Sequence, residues 1–250
     1  SFDYVFHFAA VVGVKRTLDN PVIVLNDIQG INNVLELSKS TGVKRVFFSS
    51  SSEIYGEPVE FPQNELTTPL NSRLPYAVVK NVGEAFLKSY KKEFDLDYTI
   101  FRFFNTYGPM QSSDFVMTKF IKAALKNEDI TIYGDGSQTR TFCYIDDNID
   151  ACVNALYRDM YINDVVNIGS DVEMDIMELA NEIVEVLGSK SNIVFLPPLE
   201  EGDMNRRKPD IEKMTTLLGR DLLPVTIGIG KVAASLKEKP ELVGAKIFQS

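Results

Sequence analysis

Short apolar runs alternate with longer amphipathic stretches along most of this 250-residue chain, and that alternation limits its folds more than any other feature. Apolar runs of a few residues read as buried strands, and apolar residues recurring at three- and four-residue steps read as helices. In alternation they predict βα units and a parallel sheet with helices against it. Strands are predicted at Tyr4 to Phe8, Arg45 to Phe48, Tyr98 to Phe104, Ile130 to Tyr133, Val165 to Ile168 and Ile193 to Leu196. Helices are predicted at Val22 to Ser40, about Tyr76 to Phe94, Met117 to Lys126, Asp146 to Tyr157, Ile176 to Leu187, and near Asp210 to Leu218 and Ile227 to Lys239. Ser49 to Ser52 reads as a polar turn after the second strand, and Pro58, Pro62, Pro69 and Pro75 mark a loop leading to the next helix. The tail Glu241 to Ser250 shows no clear pattern. The fold class is α/β: a doubly wound parallel sheet in the first half and a smaller α/β lobe in the second.

Composition removes several function classes. Hydrophobic residues make up 44% and charged residues 24%, ordinary globular values that exclude disorder and fibrous repeats. No run of roughly 18 apolar residues occurs, so no membrane-spanning helix is predicted. The net charge of −9 argues against non-specific binding to nucleic acid or to an anionic membrane. The only cysteines, Cys143 and Cys152, are too few for a disulfide framework; they read as buried structural thiols of a cytoplasmic, reducing compartment. No metal site is predicted, since His7 is the single histidine and no CxxC occurs. A serine–histidine hydrolase would have to use His7, which lies in an apolar run.

Tyr76-Ala77-Val78-Val79-Lys80 is the strongest chemical signal. Spacing of four puts Tyr76 and Lys80 on one helix face. An ammonium beside a phenol favours phenolate, so the pair predicts a tyrosine whose pKa is lowered towards working pH. Alone, the spacing far more often describes an exposed surface pair. Its context is Ser49-Ser50-Ser51-Ser52-Glu53-Ile54-Tyr55-Gly56 directly after a strand, where open α/β sheets build their sites. Such a serine run can be a plain polar turn or a hydroxyl donor to a reacting oxygen, and Glu53 either a solvated carboxylate or a second acid/base.

With these residues, the chain from Tyr4 to about Ala234 resembles the extended short-chain dehydrogenase/reductase superfamily, in its NAD-dependent nucleotide-sugar epimerase, dehydratase and decarboxylase branch. The resemblance also rests on His7-Phe8-Ala9-Ala10, Asn20-Pro21, Asn26 with Gly30 and Asn33, Arg102 to Pro109, Tyr133 to Arg140, and Arg206-Arg207-Lys208-Pro209-Asp210-Ile211. It implies a Rossmann-type NAD domain over residues 1–110, receiving further segments from 130–170, and a mainly nucleotide-sugar-binding lobe over 111–250. It implies that Tyr76 is the base, that Lys80 holds the nicotinamide ribose, and that Ser51 hydrogen-bonds the sugar 4-oxygen, with Ser52 and Glu53 completing the catalytic set. Phe8, Ala9, Ala10, Asn26, Ser49, Ser50 and Phe103 match cofactor positions; Asn105, Lys119, Tyr133, Arg140 and Arg207 match the nucleotide-sugar side. An arginine suits a pyrophosphate because its planar fork donates twice; a surface ion pair is the plain alternative for Arg140. A homodimer built on helices Val22 to Ser40 and Tyr76 to Phe94 is implied too, with Ile31 and Phe86 on their outward faces.

The family's glycine-rich phosphate turn and the acidic residue after its second strand do not occur. Phe2 to Phe8 matches the family's fourth strand, so about 60 residues, two βα units, are expected to precede it in a longer enzyme. Gly228-Ile229-Gly230 comes nearest to the motif but lies outside any βαβ unit, ahead of most of the last predicted helix. For the reaction, Ser52-Glu53 resembles the Ser-Glu of decarboxylases acting on nucleotide-linked glucuronic acid; the dehydratases carry Asp-Glu. Arg207-Lys208-Pro209-Asp210-Ile211 also resembles the decarboxylases, whereas Phe103-Phe104-Asn105 and Met110-Gln111 are equally epimerase-like. Leu199-Glu200-Glu201 lacks an arginine that the family often carries there. A UDP-glucuronic acid decarboxylase is the favoured reading, a UDP-sugar 4-epimerase the alternative, and a 4,6-dehydratase third. A dinucleotide-sensing binding protein is the non-enzymatic alternative, though such proteins usually lose the Tyr/Lys pair.

Overall fold

The apolar runs become strands and the amphipathic stretches become helices. The structure, a computed structural model, describes residues 2–12, 17, 19–198 and 206–238. Leu199-Glu200-Glu201, Lys239 and the tail from Glu241 lie outside the described residues. In chain order the elements are β1 (Tyr4–His7), α1 (Pro21–Leu25), α2 (Asp27–Thr41), β2 (Arg45–Ser51), a 3-10 turn (Ser52–Tyr55), α3 (Pro75–Phe94), β3 (Asp97–Phe103), β4 (Thr106–Tyr107) and α4 (Val116–Lys126). Then come β5 (Ile130–Tyr133), β6 (Thr139–Thr141), β7 (Cys143–Tyr144), α5 (Ile145–Tyr157), β8 (Asp164–Ile168), β9 (Glu173–Asp175), α6 (Ile176–Leu187), β10 (Ile193–Leu196), α7 (Glu212–Leu218) and α8 (Val225–Glu238).

Two compact units divide the chain. The first holds the residues up to Phe104 with Asp150–Gly169 and Pro209–Gly219; the second holds Asn105–Ile149, Ser170–Lys208 and the residues from Arg220 onward. The first unit is built on a parallel sheet in the order β1-β2-β3-β8. Val46, Phe48, Ile100 and Val165 from the sheet pack with Ile31 and Leu35 of α2 and with Val79 and Leu87 of α3. Each such side chain contributes about 1.5–3 kcal/mol when fully buried. Helix α3 starts on Pro75 in its first turn, where proline's missing N–H costs nothing. It ends where Asp95 turns left-handed at φ 56°. Its buried residues include Ala77, Lys80, Glu84 and Leu87, a stripe at three- and four-residue steps.

Several details differ from expectation. The single helix over Val22 to Ser40 is two, parted at Asn26, where the backbone tightens to an i→i+3 bond from Gln29 N–H to Asn26 carbonyl oxygen. Asparagine competes for backbone bonds and favours such a boundary. The second strand runs through Ser51, so three of the expected turn serines are strand residues. The first strand is less buried than a core strand: β1 pairs only with β2 among the described residues, and Phe6 and Phe8 stay 39% and 41% exposed. Ile31 does not face outward; it is buried in the core under α2.

In the second unit α4, α6 and α8 pack Phe120, Ile121, Ile183, Val232 and Leu236 into one apolar cluster with Ile130 and Ile132 of β5. Strand β5 pairs in parallel with β10, and β6 pairs antiparallel with β9. A capping box opens α6: Asp175 accepts from Glu178 N–H at 2.6 Å, and the Glu178 carboxylate accepts from Asp175 N–H at 2.8 Å. Gly228 and Gly230 lie within α8 itself, not before it and not in a phosphate turn. A Cβ on Gly228 would stand 1.9 Å from the Tyr107 hydroxyl, so this glycine lets helix and ring approach. Gly228→Ala is therefore expected to lower stability by about 1–3 kcal/mol, overpacking outweighing alanine's better helix propensity. Urea unfolding checks this, and an unchanged or raised midpoint would contradict it.

Candidate active site

The carboxyl end of β2 meets the stripe of α3 residue by residue. Lys80, 3% exposed, donates from Nζ to the Ser49 carbonyl oxygen at 2.6 Å and to Ser49 Oγ at 3.2 Å. Ser50 Oγ donates to Glu84 Oε1 at 2.6 Å. The Ser51 hydroxyl lies close enough to the phenol of Tyr76 to act on its titration. Lys80 Nζ lies 5.7 Å from the Tyr76 ring centroid and 5.0 Å from that of Phe48. Tyr76, Lys80 and Glu84 are spaced by four, so three consecutive strand residues answer three successive helix turns.

Burial governs the titration here. It pushes the Tyr76 phenol up to about 12, although the nearby Ser51 hydroxyl works in the opposite direction. The expected lowering by Lys80 is not what the structure holds: the ammonium is turned to Ser49, and loss of water, with the Glu53 and Asp27 charges, raises the phenol. Burial likewise lowers Lys80 to about 8, with Asp27 opposing from the start of α2. His7 also falls below its ordinary value, first through burial and then through the Lys80 charge; its ring lies over Phe48 at 5.9 Å.

Ser51 caps the following 3-10 turn, its Oγ accepting from Glu53 N–H at 3.2 Å. That turn buries Ser52, Ile54 and Tyr55 and leaves Glu53 half-buried. Behind it lies a polar cluster that sequence reasoning missed. Arg102 donates from Nε and Nη2 to the two Glu84 oxygens at 2.9 and 2.8 Å, and from Nη1 to the Tyr55 hydroxyl at 2.8 Å. Tyr55 donates onward to Asn167 Oδ1 at 2.8 Å. The only sequence signals were a glutamate four residues beyond Lys80 and a lone arginine in an apolar strand.

Other expected cofactor residues also lie in the first unit. Phe8 follows β1 and meets Phe101 and Phe103 edge-on at 6.4 and 5.7 Å. Ala9 and Ala10 continue from it, Ala9 exposed and Ala10 half-buried. Asn26 is exposed at the α1–α2 junction, one residue before Asp27, whose carboxylate accepts from Val11 N–H at 2.7 Å. The donor set of Lys80 and the serine hydroxyls suits the hydroxyls of a ribose, the nicotinamide end of a dinucleotide.

The expected nucleotide-sugar residues all lie in the second unit. Asn105 Nδ2 is buried without a hydrogen-bond partner, Lys119 Nζ sits 5.0 Å over the Tyr133 ring, and Tyr133 is 40% exposed. Arg140 and Arg207 are buried, and Arg140 Nη1 donates to Thr139 carbonyl oxygen at 2.7 Å. Cys143 and Cys152 are buried free thiols whose pKa burial raises. Among the described residues no cluster fit for a metal and no helix long and apolar enough to cross a membrane occurs.

Comparison with known proteins adds three relatives and a family. A model of the NAD dependent epimerase/dehydratase family matches residues 1–169. UDP-glucuronic acid decarboxylase 1 of Danio rerio is 35% identical over 237 residues, covering 92% of this chain and 56% of that protein. The chain thus spans little more than half of that relative's length. UDP-N-acetyl-alpha-D-glucosaminuronate decarboxylase of Bacillus cytotoxicus is 35% identical over 226 residues, covering 85% of this chain and 69% of that protein. Among solved structures, UDP-glucuronic acid 4-epimerase of Bacillus cereus, in complex with UDP-glucuronic acid and NAD, superposes with a TM-score of 0.85 at 31% identity, covering 94% of this chain and 76% of that one.

Lys80 gives the site a measurable signature. Above pH 8 the folded protein has released the Lys80 proton, whereas an unfolded lysine keeps it to about 10.4, so the unfolded state binds more protons and stability rises with pH. The unfolding free energy of wild type minus that of Lys80→Met is expected to grow by about 2 kcal/mol between pH 8 and 10. Urea titrations at several pH values check this; a flat difference would show that Lys80 keeps an ordinary pKa.

Proposed function

Because the chain belongs to the NAD dependent epimerase/dehydratase family, we propose that it supplies the reacting groups of an enzyme that oxidises a nucleotide sugar at C4. The observation that carries this is Lys80, buried and bonded to Ser49 at the carboxyl end of β2, 5.7 Å from the ring of Tyr76, whose phenol the Ser51 hydroxyl also reaches. Bound NAD would supply the hydride acceptor for the sugar C4. Tyr76 takes the 4-hydroxyl proton, and Ser51 holds the oxygen from which it leaves. With the phenol near 12 in the free protein, Tyr76 needs positive charge beside it to act as a base, and Lys80 is the cation within reach. Lys80 and Ser49 hold the ribose hydroxyls, while the Ser50 hydroxyl is turned to Glu84, and Phe8, Ala9, Ala10, Asn26 and Phe103 line the cofactor side. Asn105, Lys119, Tyr133, Arg140 and Arg207 take the nucleotide sugar, the arginines meeting its phosphates or carboxylate.

Decarboxylation of a UDP-glucuronic acid is the outcome we favour. Two of the relatives are named decarboxylases, and Ser52-Glu53 departs from the dehydratase Asp-Glu. Once C4 is a ketone, a carboxylate at C5 is β to it, and CO2 leaves with little help beyond positioning and stabilisation of the enolate. The UDP-sugar 4-epimerase is the second reading, supported by the Bacillus cereus structure. We also propose a cytoplasmic homodimer resting on α2 and α3. Leu37 of α2 and Phe94 of α3, 64% and 46% exposed, are large apolar side chains that these helices leave uncovered; sedimentation at micromolar concentration is expected to give the dimer, and a monomer alone would end that part.

The decisive assay incubates the complete protein with UDP-glucuronic acid, UDP-glucose and UDP-N-acetylglucosamine and identifies products by mass. Loss of carbon dioxide from UDP-glucuronic acid is expected. An isobaric product would shift the assignment to the epimerase and loss of water to a dehydratase, while no turnover would favour a dinucleotide-sensing protein. Tyr76→Phe is expected to abolish reduction of NAD by the sugar; undiminished reduction would remove Tyr76 from the mechanism.

A further inference from the structure

The buried ion pair behind the serines stands outside the chemistry described above. Glu84 and Arg102 are 1% and 2% exposed. Taking two charges out of water is costly, and such a pair often adds no stability over apolar residues of similar volume. What distinguishes this pair is where its remaining bonds go. Glu84 accepts from Ser50, the residue between the Lys80 and Tyr76 partners. Arg102 donates to Tyr55, at the far end of the turn that carries Ser52 and Glu53, and to Glu65 carbonyl oxygen at 3.2 Å in the loop before α3. Tyr55 and the Glu65 carboxylate are then fixed to Asn167, one through its side chain and the other through its N–H at 2.8 Å. Both ends of the Ser50–Tyr55 segment are therefore bonded to one charge pair, and Ser51 lies inside it. Both Glu84 oxygens face Arg102.

We propose that Glu84 is a positioning residue for the reacting groups: its carboxylate fixes Ser50 directly and the Ser52–Tyr55 turn through Arg102, and so aims Ser51 at the Tyr76 phenol. This rests on Tyr76, Lys80 and Ser51 being the reacting groups. A small displacement of Ser51 is enough to matter, because catalysis falls steeply with misplacement of a reacting group.

The test is the double variant Glu84→Met with Arg102→Met in the complete protein, which removes both charges and leaves no buried ion alone. Glu84→Gln by itself leaves Arg102 uncompensated and is expected to unfold more readily, so Ser50→Ala serves as the second variant, cutting the link while keeping the pair. Both test variants are expected to keep a wild-type Tm. In both, hydrogen exchange of the 49–56 segment in the free protein is expected to rise about tenfold while β3 and β8 stay protected. Turnover is expected to fall about tenfold or more in kcat with KM for the sugar nearly unchanged. Wild-type exchange and kcat in both stable variants would overturn the proposal. If the wild type itself turns over no nucleotide sugar, the proposed function fails, and the exchange measurement still decides whether Glu84 holds the segment.

Discussion

A guanidinium and a carboxylate facing each other in the dry interior hold in place whatever else is bonded to them. The Arg102–Glu84 pair makes two bonds at 2.9 and 2.8 Å, and removing one partner of such a pair typically costs about 3–5 kcal/mol because a bare charge remains. Burial alone would lower the Arg102 pKa; the Glu84 charge more than reverses this and keeps the guanidinium protonated. Burial pushes Tyr55 up to about 12, so its hydroxyl remains a donor to Asn167 while accepting from Arg102. Strand β3, helix α3, the turn after β2 and strand β8 are thereby joined by polar contacts of fixed direction, where apolar packing alone would tolerate small shifts.

That anchoring explains how a parallel sheet presents chemistry at one end. Apolar packing under α3 sets its distance from the sheet, through Val79, Leu87 and the close approach of Gly83, where a Cβ would lie 2.4 Å from the Phe48 ring. The rotation of the helix about its own axis is set by the polar stripe. Tyr76, Lys80 and Glu84 can meet Ser51, Ser49 and Ser50 together only in one rotational setting. The serine run, a polar turn on its face, is thus a strand end whose hydroxyls are each committed.

Much of this was legible in residue order. The spans Ile130–Tyr133, Ile176–Leu187 and Ile193–Leu196 coincide with their predicted ends, because each is a clean apolar pattern between breakers. Tyr76 and Lys80 were legible because helical spacing is local. The network behind them was not: Tyr55 and Asn167 are 112 residues apart in sequence, and nothing in either neighbourhood announces the other. The direction of the Tyr76 shift was misread for a related reason. Spacing identifies a neighbouring charge, but the outcome depends on how much water both groups lose, which is a property of the packed sheet. Asn26 divided a helix whose apolar periodicity ran straight through it, since a single backbone competitor leaves the pattern intact.

The acidic balance of the chain also takes on a definite meaning. A net charge of −9 would repel an anionic nucleotide sugar if the charges acted together at a distance. They do not: at physiological salt exposed charges are screened within about 8 Å, whereas buried ones are screened far less. Arg140 and Arg207 are 8% and 9% exposed. Under the proposed function their fields act on the ligand nearly unscreened, while most of the carboxylates that outnumber them face water. Net charge then governs solubility and the approach of other macromolecules, and a few buried cations govern what the second unit can hold.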